Sequence, residues 1–183
     1  MAGKIDICCF DKTGTLTQND LVIRGIAGLG NSPADRSKLN EIATVFSKDK
    51  NAALVLGGAH TLAFTEGALV GDPLEKQSFE GISFRQNALG ARESYGPDNS
   101  GVKILQIKKF AFNSTLKRMS TLVSITESNG NSVRILSKGA PEVLVKYMKN
   151  VPEDYAAAYL KYVKNGARVL SLAYKQVHKM TQA

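Results

Sequence analysis

The chain has 183 residues, of which 43% are hydrophobic and 22% are charged. This length fits one domain, or one domain with part of another, and the composition excludes a disordered or fibrous protein. The 24 basic and 16 acidic side chains give a net charge of +8, which favours an anionic partner such as a nucleotide, a nucleic acid or an acidic membrane surface. The sequence lacks the run of about 18 apolar residues that a membrane span needs, so we expect a soluble chain.

The cysteines and histidines are few and poorly placed for cross-links or metals. Cys8 and Cys9 are adjacent, and His60 and His178 are far apart in the sequence. Adjacent cysteines cannot bridge two parts of a fold, so we expect no disulfide framework and a reducing compartment. So small a set of sulfur and imidazole ligands also argues against a zinc site.

The first half of the chain is predicted to combine short strands with helices. The apolar run 5–10 stops at Asp11, which predicts a buried strand with an acid at its carboxyl end. Ligands often bind beyond the carboxyl ends of strands in α/β sheets. Apolar spacing further predicts an extended stretch over 21–29 and helices over 35–46, 52–64 and 74–84.

The second half is predicted to form an antiparallel sheet. Residues 90–101 contain three glycines and a proline, which predicts a loop or a disordered insertion. Three stretches rich in β-branched residues follow, and Asn129-Gly130 predicts a hairpin between the last two. These strands are predicted over 102–112, 118–126 and 132–137, with helices over 141–148 and 153–164 and a last strand over 168–177. The predicted fold class is therefore α+β (α/β), an antiparallel β-sheet flanked by helices.

One heptapeptide directly after the first predicted strand is the most specific motif. A carboxylate at a strand end, facing a loop with glycine and hydroxyl groups, can attack a phosphoryl group while backbone N–H groups and a metal ion hold the phosphate oxygens. Most Asp-Lys-Thr tripeptides merely cap a turn. The complete motif, however, resembles the phosphorylation signature of the P-type ATPases, and its residues are Asp11-Lys12-Thr13-Gly14-Thr15-Leu16-Thr17.

This resemblance implies a catalytic set of Asp11, Lys12 and Thr13. Asp11 would become an aspartyl-phosphate in a phosphorylation domain of the haloacid-dehalogenase kind, with Lys12 adding positive charge nearby. Thr13 stands where related phosphatases keep a second acid, so the acyl phosphate should be long-lived. The family's magnesium site would use the Asp11 carboxylate and the Thr13 carbonyl. The same threonine argues against a third interpretation, a soluble phosphatase of the dehalogenase kind.

The resemblance continues into the family's nucleotide-binding domain. Residues 110–120 are similar to a segment whose aromatic residue, here Phe112, stacks on adenine, while a basic residue, here Lys117, reaches the phosphates. Met119 of the same segment is assigned to the ATP site as well. Taken alone, Phe112 would be more typical of a core residue and Lys117 of a solvated charge.

Three more segments follow the same family pattern. The Lys-Gly-Ala-Pro-Glu box implies that Lys138 points into the adenosine pocket and that Gly139 allows close approach of a ligand. Glu75 would accept a hydrogen bond from the adenine amino group, Arg168 would bind phosphates, and Leu170 would pack beside the base. Taken alone, an arginine in a strand is usually solvated. No P-loop pattern occurs, so the implied cofactors, ATP and Mg²⁺, would not be held by a P-loop.

Other segments, among them 21–29 and 69–76, resemble the endoplasmic-reticulum subgroup of the type V P-type ATPases. That subgroup is associated with removing misplaced transmembrane segments and with cation homeostasis. We expect residues 1–24 to be a fragment of the phosphorylation domain, a strand-loop stub, residues 25–177 the nucleotide-binding domain, and 178–183 a tail.

We therefore expect this chain to be an excised cytosolic part of a membrane protein of the endoplasmic reticulum. Its partners would be ATP and the remaining phosphorylation, actuator and membrane domains, without nucleic acid. By itself it would bind ATP without turnover, because the sequence lacks the family's distal magnesium-binding segment.

An alternative function does not involve catalysis. Basic residues interleave with Phe110 and Phe112, a pattern that also suits a surface for RNA or anionic lipid. The basic residues concerned are Lys103, Lys108, Lys109, Lys117 and Arg118.

Overall fold

The structure is a computed structural model that describes residues 2–4, 6–12, 14–17, 21–87 and 90–177. Thr13, which the resemblance assigns to catalysis and to magnesium, lies outside the described residues, as does the predicted tail 178–183. None of the helices in the described ranges has the length and apolar character that crossing a bilayer requires.

Helices and strands alternate unevenly along the described chain. The α-helices are α1 (Pro33–Arg36), α2 (Val45–Lys48), α3 (Lys50–Gly58), α4 (Pro73–Gly81), α5 (Pro141–Leu144) and α6 (Tyr155–Lys164). The strands are β1 (Ala63–Thr65), β2 (Ala68–Val70), β3 (Arg85–Asn87), β4 (Gly90–Tyr95), β5 (Lys103–Asn113), β6 (Arg118–Glu127), β7 (Gly130–Gly139) and β8 (Ser171–Val177). Short 3₁₀ turns occur at Ala2–Lys4, Ile42–Thr44 and Val145–Tyr147.

The main sheet has six strands in the order β3-β4-β5-β6-β7-β8, and every neighbouring pair is antiparallel. Each strand therefore pairs with the next one in the chain. The predicted Asn-Gly hairpin is confirmed, because Glu127 pairs with Gly130 across the β6–β7 turn and Gly130 has a φ of 127°. Helices pack against this sheet, so the predicted α+β architecture is confirmed. Strands β1 and β2 form a separate small hairpin.

The core lies between the sheet and α3. Alternate residues of β6 are buried, as expected for a strand that turns one face to a helix layer. Thr121 on that face donates from its hydroxyl to the Gly58 carbonyl at 2.9 Å. A Cβ atom at Gly58 would stand 2.5 Å from Cδ1 of Leu136, so glycine is what lets the end of α3 approach the sheet this closely.

Both long helices of the first half begin at an aspartate cap. Asp49 accepts from the N–H groups at the start of α3, and Asp72 does the same for α4 through its Oδ1 atom. Pro73 occupies the first turn of α4, as predicted, where its missing N–H costs nothing. Phe79 of α4 is buried in the core, which fixes the rotation of this helix. Glu75 therefore projects from the first turn of an anchored helix.

The predicted buried strand over 5–10 is wrong for its described part. Residues 6–10 have no regular structure and are exposed, with Ile7 81% and Phe10 67% accessible. A strand buried on both faces needs neighbouring strands, and no described strand pairs with this segment. The extended stretch predicted over 21–29 forms only an isolated bridge between Ile26 and Asn40.

The loop predicted over 90–101 is also wrong in its first half. Residues Gly90–Tyr95 form β4, which pairs with β3 and β5, while the turn is confined to the residues that follow. A glycine at each end of this segment allows a turn there. Between the glycines, Glu93, Ser94 and Tyr95 pair with residues of β5. Glu93 also forms an ion pair with Lys103 of β5 at 3.1 Å, a cross-strand contact that stabilises the sheet.

Several predicted helices and strands are present with different bounds. The helix over 35–46 is divided, since α1 ends at Arg36 and a 3₁₀ turn precedes α2. The helix over 52–64 ends at Gly58, the one over 74–84 at Gly81, and the one over 141–148 changes to 3₁₀ after Leu144. The last strand begins at Ser171.

Candidate functional site

Most of the residues assigned to ATP lie at one end of the six-stranded sheet. Because the strands are antiparallel, the end of β5, the start of β6, the end of β7 and the start of β8 meet there. Met119 pairs with Lys138, which in turn pairs with Leu172 on the other side. Glu75 reaches the same place from α4, because its carboxylate contacts Lys138.

A buried polar cluster joins α4 to the sheet. The Lys138 ammonium nitrogen lies 2.7 Å from Glu75 Oε1, and both side chains are largely buried, at 13% and 11% exposure. The other carboxylate oxygen, Oε2, accepts hydrogen bonds from the Thr61 backbone N–H and hydroxyl, each at 2.7 Å. Glu75 therefore has ordered partners on both oxygens.

The charge of Glu75 is stabilised in this setting. Burial by itself would raise the pKa of the carboxyl group, but the Lys138 ammonium and the two hydrogen bonds from Thr61 outweigh burial, and the pKa lies below its usual value. Glu75 is therefore ionised at neutral pH, and the pair with Lys138 is a true ion pair.

His60 lies next to this cluster and is buried, with 5% exposure. Its Nδ1 accepts a hydrogen bond from the Leu62 N–H at 3.2 Å, so the ring proton is on Nε2, which lies 3.3 Å from the Ser94 hydroxyl. Burial lowers the pKa of His60 to about 4. The histidine is thus neutral and anchors the connection from α3 to β1, on which Thr61 stands.

Sequence reasoning missed both Thr61 and His60. Neither residue belongs to a motif, and only the fold brings the α3–β1 connection next to α4 and β7. The sequence does indicate a helix break at Gly57-Gly58, followed by the polar pair His60 and Thr61. This pattern does not indicate which carboxylate Thr61 contacts.

Phe112 and Lys117 differ from the buried Lys138–Glu75 pair, because both are exposed to solvent. Phe112 is 60% accessible near the end of β5, where the register shifts between Phe110 and Asn113. Lys117 has a φ of 46°, a left-handed conformation that costs a non-glycine residue about 1–2 kcal/mol. Its carbonyl accepts from the Ala140 N–H at 3.0 Å, which joins the Phe112 segment to the Lys138 segment.

Gly139 has a structural reason to be glycine. A Cβ atom there would lie 2.6 Å from the Lys117 carbonyl oxygen and 2.7 Å from Cβ of Arg118. Such contacts are too short for any side chain, and the backbone oxygen cannot swing away. The tight crossing of the two segments therefore depends on this position, in addition to any close approach of a ligand.

Arg168 and Leu170 lie on the connection between α6 and β8. Leu170 is 45% accessible, directly before β8 begins. Arg168 is exposed and makes no hydrogen bond or ion pair with any described residue, so its guanidinium group is available to an anion. Both residues precede Ser171, which pairs with Gly139 in the sheet, and they thus belong to the same end of the sheet.

The segment with Asp11 forms a compact turn. The Lys12 carbonyl accepts from the N–H groups of Leu16 and Thr17, at 3.0 and 2.9 Å, and Gly14 has a φ of 88°. Asp11 and Lys12 are exposed. The described residues contain no group of three acidic, histidine or cysteine side chains placed to hold a metal ion.

Comparison with known proteins identifies the family. Residues 99–183 match the family model described as "P-type ATPase, cytoplasmic domain N". The chain is 38% identical over 179 residues to the probable manganese-transporting ATPase PDR2 of Arabidopsis thaliana, an alignment that covers 98% of this chain and 14% of that protein. It is 37% identical over 183 residues to the endoplasmic reticulum transmembrane helix translocase of Saccharomyces cerevisiae. This alignment covers 100% of this chain and 14% of that protein.

A more distant relative is also named as a transporting ATPase. The cation-transporting ATPase catp-5 of Caenorhabditis elegans is 29% identical over 210 residues, covering 97% of this chain and 17% of that protein. The chain therefore spans only a small part of the curated relatives that it matches. The family model, the identity along the whole chain and the order of the motifs agree: this chain belongs to the P-type ATPase family, in its type V group.

Proposed function

We propose that this chain is the ATP-binding part of a P-type ATPase that couples ATP hydrolysis, through an aspartyl-phosphate at Asp11, to transport across a membrane. The observation that carries the proposal is the convergence of separately encoded residues at one end of the sheet. There, the buried Lys138–Glu75 ion pair lies beside strand ends that also carry Phe112, Met119 and Leu170.

The proposed pocket divides into a base side and a phosphate side. Phe112 stacks on adenine, Met119 and Leu170 flank the base, and Gly139 keeps the backbone open to the ligand. The exposed cations Lys117 and Arg168 bind phosphates. Lys138 directs its ammonium group into the adenosine pocket, and Glu75 contributes the carboxylate beside it.

The proposed phosphoryl acceptor is the exposed carboxylate of Asp11. One of its oxygens attacks the γ-phosphorus of ATP, the bond from that phosphorus to the β–γ bridging oxygen breaks, and ADP leaves. Lys12 lowers the energy of the developing negative charge. The Asp11 carboxylate and the Thr13 carbonyl are oxygen ligands of the kind that Mg²⁺ prefers, and bound Mg²⁺ would supply charge neutralisation on the phosphates.

The whole protein would lie in the endoplasmic reticulum membrane with this part facing the cytosol. Relatives that are named endoplasmic reticulum transmembrane helix translocases support this location. The species transported would be a cation or a transmembrane segment. Residues 1–24 would belong to the phosphorylation domain and 25–177 to the nucleotide-binding domain, and the partners would be the other domains of the same polypeptide.

Titration of ATP into the wild-type chain and the Phe112→Ala variant tests the pocket. Loss of a stacked aromatic ring costs about 1–3 kcal/mol, so the dissociation constant should rise roughly 5- to 150-fold, as measured by isothermal calorimetry. Phe110→Ala is the matched control, because Phe110 is a similarly exposed phenylalanine on the same strand, at 51%. We expect the control to stay within about twofold of wild type. Equal ATP affinities for Phe112→Ala and wild type would reject the stacking role.

A further inference from the structure

We propose that Gln77, on helix α4, is a positioning residue for phosphoryl transfer to Asp11, because its side-chain amide holds the backbone at Leu21 and Ile23. This role rests on the proposed function. In that reaction a carboxylate oxygen of Asp11 bonds to the γ-phosphorus of ATP, while the bond from that phosphorus to the β–γ bridging oxygen breaks and ADP leaves. Gln77 acts through the chain that follows Asp11 and not by binding ATP.

The first argument is that the Gln77 amide matches the backbone groups it meets. Its Nε2 donates to the Leu21 carbonyl at 3.0 Å, and its Oε1 accepts from the Ile23 N–H at 3.3 Å. In an extended chain, the C=O of one residue and the N–H of the second residue after it point to the same side. A primary amide carries a donor and an acceptor next to each other, so it takes the place of a peptide group in a neighbouring strand.

The second argument is that burial does little to hold this part of the chain. The side chains of Leu21 and Val22 are 44% and 69% exposed, and no described strand pairs with them. The next attachment is the bridge between Ile26 and Asn40, in which each N–H donates to the other residue's carbonyl at 2.8 Å. Among the described residues, Gln77 is therefore the hydrogen-bonded attachment nearest to the compact turn that precedes this segment.

The third argument is that α4 is itself fixed and can act as a support. Phe79 is buried in the core at 1% exposure, and Glu75 is held by Lys138. Successive residues of an α-helix are about 100° apart, so Gln77 lies on roughly the opposite side of α4 from both Phe79 and Glu75. One side of α4 is therefore packed on the protein, and the other side holds the chain that comes from the compact turn.

The fourth argument is the length of the connection. Four peptide steps separate Thr17, at the end of the compact turn, from Leu21, and these steps reach at most about 14 Å. Without Gln77 the first attachment would be Ile26, nine steps from Thr17. The effective concentration of a tethered group falls roughly as the −3/2 power of tether length, so release should lower that of the Asp11 carboxylate at the pocket about threefold. Lost orientation would lower the rate further.

The test uses the full-length ATPase that contains this chain, in detergent micelles. Single-turnover formation of the aspartyl-phosphate from labelled ATP is followed by acid quench for wild type and Gln77→Met. Methionine has a similar length but lacks both hydrogen-bonding groups, and Gln77 is exposed, so the core is not disturbed. We expect the maximal rate to fall at least about threefold, while the ATP concentration that gives half of this rate stays at its wild-type value.

Glu80→Gln is the matched control. Glu80 is an exposed residue of the same helix, and its carboxylate lies 4.0 Å from the Lys76 ammonium group. An exposed pair of this kind contributes little, so Glu80→Gln should keep the wild-type rate and the wild-type half-saturating ATP concentration.

A second variant and a second measurement examine the hydrogen bonds themselves. Gln77→Glu keeps the acceptor for the Ile23 N–H but replaces the donor to the Leu21 carbonyl by an oxygen that repels it, so this variant should also slow the transfer. Amide hydrogen exchange is followed by NMR on the 183-residue chain. In Gln77→Met the Ile23 N–H should exchange at least about fivefold faster, whereas the Ile26 N–H, which is bonded to Asn40, should keep its wild-type rate.

The outcomes separate this inference from the proposed function. If Gln77→Met keeps the wild-type maximal rate, or if the Ile23 N–H exchanges no faster, the inference is overturned. A parallel loss of rate and of ATP affinity would also overturn it, because Gln77 would then belong to the nucleotide pocket. If the wild-type ATPase forms no acid-stable phosphoprotein that Asp11→Asn abolishes, the proposed function fails instead.

Discussion

The two candidate functional regions of this chain, around Asp11 and around Lys138, lie in opposite physical settings. Every described residue of the Asp11 segment, from 6 to 17, is exposed, and the Lys12 carbonyl closes its turn by accepting from the Leu16 and Thr17 N–H groups. The Lys138–Glu75 pair is buried where strands β6, β7 and β8 meet helix α4. The motif around Asp11 is therefore a property of contiguous sequence, whereas the proposed nucleotide site depends on packing.

This contrast suggests that holding the nucleotide and accepting the phosphoryl group can be changed separately. A described side chain on α4 connects the two regions. The Gln77 side chain donates to the Leu21 carbonyl at 3.0 Å and accepts from the Ile23 N–H at 3.3 Å. Gln77 lies on α4, two residues after Glu75, so the chain leaving the Asp11 segment is attached to the helix that carries part of the proposed pocket.

The largest expected difference between the two regions is in the free energy of unfolding, when one leucine in each region is replaced by alanine. Leu54→Ala, on α3, removes a side chain that is 1% exposed, whereas Leu16→Ala removes one that is 65% exposed. Burial predicts a loss of about 2–5 kcal/mol in the free energy of unfolding for Leu54→Ala, from lost transfer energy and a residual cavity. We expect less than about 0.5 kcal/mol for Leu16→Ala. Urea denaturation followed by circular dichroism measures both, and similar losses would contradict the contrast.

A smaller effect is expected from pH, and it belongs to the packed region. Burial lowers the pKa of His60 from 6.5 to about 4, so between these values the unfolded chain takes up a proton that the folded chain does not. The stabilisation is fully present above pH 6.5 and is lost as pH falls toward 4. At about 1.4 kcal/mol for each pKa unit, the loss is roughly 3 kcal/mol. Charged groups near the ring are Glu75, Lys138 and Lys109.

Urea denaturation at several pH values between 5 and 7 measures this dependence. In His60→Gln the slope of unfolding free energy against pH should largely disappear. His178 is present in both proteins and cancels in the comparison. The carboxyl group of Glu75, whose pKa is lowered from 4.5, contributes a loss only at more acidic pH. An unchanged slope in His60→Gln would show that His60 is not the group that titrates.

The sequence predicted those parts of the fold that depend on local pattern. The Asn129-Gly130 hairpin, the start of α4 at Pro73 and the antiparallel strands each follow from side-chain alternation or from the backbone preferences of glycine and proline. Strand β4 was missed, because its glycine-rich flanks suggested a loop, and its partner strands, not its composition, hold it in the sheet. The strand before Asp11 was predicted from apolar residues that find no described strand to pair with.

In the candidate site too, local sequence pattern predicts some features and tertiary packing determines the others. Phe112, Lys138 and Glu75 could be selected from motifs, but the ion pair between the last two depends on how α4 packs across the sheet. Thr61 and His60 carry no pattern at all, and their contacts come from the path of the α3–β1 connection. Contact partners of this kind require the tertiary structure, since residues far apart in sequence meet only in the fold.

The smallest expected effect is that of Asp11→Asn, and it tests whether the two regions act separately. Asp11 is exposed and makes no hydrogen bond with any described residue, so the free energy of unfolding should change by less than about 0.5 kcal/mol. The ATP dissociation constant should stay within about twofold of wild type, whereas Lys138→Met should weaken binding at least about tenfold. Calorimetry on the three proteins makes the comparison. A strong loss of ATP affinity in Asp11→Asn would mean that the exposed turn closes over the nucleotide, and that the phosphorylation motif forms part of the binding pocket in this chain.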